Sequence, residues 1–111
     1  MSKWDDWEER KLLFLKAQER WGMRGRVAKA AEEASEMSAA FIRLILNPKG
    51  HSRQENRDCA MGELVDVMIM TEQVELIFGQ MRDSQGRTLK DIRDAKLDRL
   101  EGFLKEDEAR K

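Results

Sequence analysis

Apolar residues in this 111-residue chain recur every three or four positions and never alternate with polar ones, so the pattern is that of helices throughout. β-Branched residues are sparse, and no strand is predicted. Four helices follow from the periodicity. The first runs from about Trp4 to Arg20, with Trp4, Trp7, Lys11 and Phe14 on one stripe and Ser2, Asp5 and Asp6 at its start. Trp21-Gly22-Met23-Arg24-Gly25 reads as a turn. The second runs from about Val27 to Leu46, with an inner stripe of Val27, Ala30, Ala34, Met37, Phe41, Leu44 and Ile45. Asn47-Pro48-Lys49-Gly50 stops it, because the residue before a proline disfavours helical dihedrals.

Ser52, with Glu55 three residues on, opens a third helix from about Arg53 to Phe78. From Met61 onward this is the most hydrophobic part of the chain, which predicts burial on nearly all sides. Gly79 and Asp83-Ser84-Gln85-Gly86-Arg87 mark the next break. Thr88, with Asp91 as its capping-box partner, starts a fourth helix that extends to about Glu106. The expected architecture is a single all-α domain over residues 1–111, bundle-like, with four helices.

Composition agrees with long amphipathic helices: 39% of residues are charged and 41% hydrophobic. The 21 basic and 22 acidic residues nearly cancel, so no basic excess points to nucleic acid. A lone cysteine, Cys59, and a lone histidine, His51, make neither a zinc site nor a redox pair. No apolar run approaches the ~20 residues that span a bilayer, and the N-terminus lacks the apolar core of a signal peptide. A cytoplasmic protein is expected. Three tryptophans among the first 21 residues anchor the first helix, to the bundle or to a partner subunit, or offer a surface for stacking on a nucleobase.

The candidate chemistry lies in two short acidic motifs, Glu32-Glu33-Ala34-Ser35-Glu36 and Glu63-Leu64-Val65-Asp66. Carboxylates three residues apart share a helix face, with Cβ atoms ~5–6 Å apart. Glu-x-x-Glu is common on solvated helices; Glu63-x-x-Asp66 is more telling, because a carboxylate in apolar surroundings needs a cation beside it. That cation is a divalent metal or a basic side chain such as Lys96 or Arg99. Oxygen-only donors suit magnesium, which binds a few carboxylates together with substrate phosphates. A carboxylate-bridged diiron centre is excluded, since it needs Glu-x-x-His pairs and His51 lies in a loop.

At these residues the chain resembles the MazG-like all-α nucleoside triphosphate pyrophosphohydrolases, a superfamily that includes dimeric dUTPases and phosphoribosyl-ATP pyrophosphohydrolase. The shared pattern is Glu-Glu-x-x-Glu on one helix and Glu-x-x-Asp on the next, followed by an apolar run and a basic, leucine-containing segment, Lys96-Leu97-Asp98-Arg99-Leu100. The resemblance covers roughly residues 8–104. It implies magnesium-dependent (or manganese-dependent) cleavage of a nucleoside triphosphate between its α and β phosphates. Glu33, Glu36, Glu63 and Asp66 would hold the metal, Glu32 and Glu33 would be the catalytic carboxylates with Glu32 as base candidate, and Lys96 and Arg99 would contact phosphate. It also implies a homodimer or homotetramer. Lys29 stands where some members carry a glutamine, and Lys96 is followed by Leu97 where some carry asparagine, so base recognition is not carried over. A non-catalytic helical interaction protein, its acidic pairs bridging to a partner or binding a structural cation, is the competing class.

Overall fold

A computed structural model describes residues 1–110, and these are helical, with no strand among them. A short 3-10 helix, Lys3–Asp5, precedes three α-helices: α1 (Trp7–Leu46), α2 (Arg53–Phe78) and α3 (Leu89–Ala109). Four were expected. The first two run together as α1, and the turn predicted at 21–25 is reduced to one residue, Gly22, at φ 78°, ψ 160°. Gly25 stays helical.

That single residue bends the chain sharply. In a straight helix Arg10 and Arg26 would lie about 24 Å apart. Instead Arg10 Nε donates to Glu72 at 2.9 Å and Arg26 donates to Gln73 at 3.3 Å, so both flanks of Gly22 reach adjacent residues of α2.

The remaining boundaries follow their local chemistry. Ser2 and Asp5 form a capping box, but around the 3-10 helix; Asp6 is the residue that caps α1, accepting from the Glu8 N–H at 2.9 Å. Asn47 ends α1 in the left-handed region (φ 46°), a conformation that asparagine tolerates, directly before Pro48. Its side-chain oxygen accepts from the buried Asn56 at 3.1 Å, tying the end of α1 to the first turns of α2. The Glu55 N–H donates to Ser52 Oγ at 3.0 Å, and Thr88 and Asp91 cap α3 reciprocally.

The chain divides into two compact units, Met1–Glu75 and the segment from Leu76 onward. In the first, α1 and α2 run antiparallel: Arg43 reaches Cys59, the Glu33–Glu36 turn lies beside Glu63, and Arg26 reaches Gln73. The buried or half-buried stripe of α2 is Asn56, Cys59, Ala60, Glu63, Val67, Met70 and Gln73, one face at three- and four-residue spacing. The expectation that α2 is buried on nearly all sides does not hold within this chain. Leu64, Val65, Met68 and Ile69 are 41–58% exposed.

The inner stripe of α1 is also displaced. Val27, Ala34, Leu44 and Ile45 are exposed, while Arg26, Lys29, Ala30, Glu33, Met37 and Ala40 line the inner side. The inner face is more polar than periodicity suggested. Trp4, Trp7 and Trp21 are each more than a third exposed; they carry Lys3, Arg10 and Arg26 over their rings at 4.7, 5.4 and 4.6 Å. Phe14, not a tryptophan, is the buried aromatic of this segment, tilted against Trp7 with centroids 6.2 Å apart.

In the second unit, Asp83 organises the link to α3. Its carboxylate accepts from the Gln85 and Arg87 N–H groups and from Arg87 Nε, all within 2.9 Å. Those hydrogen bonds, the Arg87 N–H first, hold its carboxyl below the ordinary aspartate range. On α3, Lys90 and Arg93 both pair with Asp94.

Candidate metal centre

The antiparallel pairing of α1 and α2 brings three acidic side chains together. Glu33, Glu36 and Glu63 each present a carboxylate oxygen, and the three oxygens lie within 4.8 Å of one another. Glu33 sits on the inner stripe of α1 and is 8% exposed; Glu63 sits on the contact stripe of α2; Glu36, one turn on, closes the group from the exposed edge of α1.

Asp66, the fourth expected ligand, is not part of this cluster. The α2 face turned toward α1 runs through Glu63, Val67 and Met70, and Asp66 lies about 60° around the helix from Glu63, on the exposed side. The shared face implied by three-residue spacing is therefore not the face that meets α1. Glu32 is also exposed. Lys96 and Arg99 belong to the second unit, where they line a pocket with Arg87, Ile92 and Ala95, whereas the acidic cluster lies in the first.

Two of the three clustered carboxylates are incompletely satisfied. Glu33 Oε2 and Glu63 Oε2 are both buried, and neither has a hydrogen-bond partner in the protein. Buried carboxylate oxygens without donors carry a substantial desolvation cost. A hard cation relieves that cost, and an all-oxygen donor set suits magnesium or manganese better than zinc or copper. The residues present fit a divalent ion.

Among the described residues, Lys29 is the cation that pairs with the cluster. Its Nζ lies 3.1 Å from Glu33 Oε1 and 3.6 Å from Glu32 Oε2. The hydrogen bond to Glu33, and then the charge of Glu32, raise the Lys29 pKa. In the sequence Lys29 stands out only as a departure from a family pattern. Its spacing, three residues before Glu32 and four before Glu33, was the available signal.

One ammonium does not neutralise the group. Glu33 beside it, then burial, then Glu63 and Glu32 push the Glu36 carboxyl above its ordinary pKa of 4.5, with Lys29 partly offsetting them. A carboxyl raised on folding contributes stability that is full below its unfolded value and is lost as pH rises through the folded value. The cation-free protein therefore carries net repulsion from this group at neutral pH. Glu36→Gln is expected to unfold at a higher temperature than wild type at pH 7 in chelator, with the gap closing as the pH falls below about 4. A wild type more stable than the variant at pH 7 would mean that the carboxylates support one another through contacts other than charge.

No helix among the described residues is long and apolar enough to cross a membrane. Comparison with known proteins finds no matching family model, no matching curated protein and no matching solved structure.

Proposed function

We propose that this chain is a magnesium-dependent nucleoside triphosphate pyrophosphohydrolase that cleaves between the α and β phosphates to give a monophosphate and pyrophosphate. The observation that carries this reading is the convergence of Glu33, Glu36 and Glu63 from two antiparallel helices, with a buried, partnerless oxygen on two of them. The sequence resemblance at the same residues supplies the reaction class. Glu33, Glu36 and Glu63 would hold the ion. A divalent cation bound there would neutralise charge on a polyphosphate and activate water for attack.

Glu32, exposed and next to Glu33 in the chain, is the proposed general base for the attacking water. Lys96 and Arg99 are the proposed phosphate contacts, an assignment that rests on the sequence resemblance. Assembly as a homodimer or homotetramer is part of the same proposal, supported by the exposed apolar flank Leu64, Val65, Met68 and Ile69.

The exposed apolar flank also favours a second reading, a non-catalytic helical protein whose acidic cluster holds a structural ion. Turnover separates the two. Pyrophosphate release from a panel of ribo- and deoxynucleoside triphosphates is expected to require magnesium and to stop with chelator. A folded protein that binds the ion but releases no pyrophosphate from any of them would leave the second reading.

A further inference from the structure

The Lys29–Glu33 contact involves a carboxylate of the candidate ion site, and its acceptor is unlike that of an ordinary surface pair. Lysine preceding glutamate by four residues is the less favourable order on a helix, so helix stability alone gives little reason for it. Its carboxylate is also not a solvated one. Glu33 is 8% exposed, and it shares the cluster with Glu36 and Glu63.

The two Glu33 oxygens are treated differently. Oε1 is held by Lys29 at 3.1 Å, while Oε2 is buried without a partner. Lys29 thus satisfies half of the group. Its own side chain is 43% exposed and within 3.6 Å of Glu32 as well, so the ammonium can leave Glu33 without losing either solvent or a carboxylate neighbour.

We propose that Lys29 is a tethered counter-cation, which occupies Glu33 in the cation-free protein and is released, when a divalent ion takes that carboxylate, to pair with the polyphosphate that arrives with the ion. This rests on the reading of Glu33, Glu36 and Glu63 as a divalent-cation site. The physical basis is competition between like charges for one acceptor. An ammonium a few ångströms from the ion's position repels it before exchange and attracts its anionic partner afterwards. Lys29 therefore weakens binding of the bare ion and strengthens binding of the phosphate ligand, which makes the site selective for the two together.

Three proteins test this: wild type, Lys29→Met and Lys29→Arg. Manganese affinity is read from the electron paramagnetic resonance signal of the free ion, and inorganic pyrophosphate affinity by calorimetry at saturating manganese. Lys29→Met is expected to bind bare manganese about 3- to 10-fold more tightly and pyrophosphate weaker by a similar factor. Lys29→Arg, which keeps the charge, is expected to stay close to wild type on both. A merely structural lysine would not move the two affinities in opposite directions. If no protein of the three binds manganese, the cation site itself is wrong and the proposal falls with it. If all bind manganese but Lys29→Met binds it no more tightly than wild type, the site stands and the competition by Lys29 is overturned. Tighter manganese with unchanged pyrophosphate would overturn the second half, contact of the released ammonium with phosphate.

Discussion

Glu63→Gln is expected to lower magnesium-dependent pyrophosphate release by about two to three orders of magnitude while leaving the fold as stable as wild type, or more so. Glu63 is the only carboxylate of the cluster that comes from α2, so its loss leaves two ligands on one helix. Losing a ligand weakens the hold on the ion whose charge would stabilise the transferring phosphoryl group, and an electrostatic stabiliser of that kind contributes about 10²–10³ in rate. Stability moves the other way for a simple reason. Its Oε2 is buried without a partner, and a neutral amide is cheaper to bury than a carboxylate. Parallel assays of turnover and thermal unfolding in chelator read both. Loss of activity together with loss of stability would mark Glu63 as a structural residue, and unchanged activity would remove it from the site.

Gly22→Ala is the second large effect, and it acts on the fold. At φ 78°, ψ 160°, Gly22 occupies a region of backbone space reached almost only by glycine, and a side chain there costs about 1–3 kcal/mol. Space is not the obstacle, since an added Cβ meets no atom within 4 Å. The cost is purely torsional. Alanine also favours helical dihedrals, so the variant is pulled toward a straight α1 in which Arg10 and Arg26 no longer both reach Glu72 and Gln73. Chemical denaturation should show the destabilisation. A variant as stable as wild type would mean that α1 tolerates straightening, and that the contact of Arg10 with Glu72 contributes little.

Much of this architecture was written in local chemistry. Pro48 and Asn47 stop α1 at Leu46, Ser52 starts α2, and Thr88 with Asp91 starts α3, because caps act within a few residues of the backbone they satisfy. The acidic motifs were equally plain, and three of their members come together. What periodicity did not convey was which side of each helix would face its neighbour. The apolar run after Glu63 is hydrophobic almost all round, so any face was compatible with burial, and the choice fell to the stripe through Asn56, Ala60, Glu63 and Met70. Asp66 fell outside it. Likewise Val27 and Ala34 are better apolar candidates than Arg26 and Glu33, yet the latter line the inner side, where hydrogen bonding and charge outweigh hydrophobicity. The two glycines Gly22 and Gly25 predict a turn, but one positive φ is sufficient to redirect the helix.

The corner where Asn56 donates to Asn47 also sets the order in which chain closures become affordable. Those partners are nine residues apart, and moving away from the corner the separations grow: 16 for Arg43 and Cys59, 27 for Glu36 and Glu63, 47 for Arg26 and Gln73, 62 for Arg10 and Glu72. The entropy lost in closing a loop rises with its length, and each inner contact shortens the loop left for the next. The two helices can therefore zip from the corner outward, bringing the three carboxylates together before the segment ahead of Gly22 has docked. By loop entropy, the tryptophan-bearing N-terminal segment, whose contact with α2 spans the longest of these separations, is the one expected to close last.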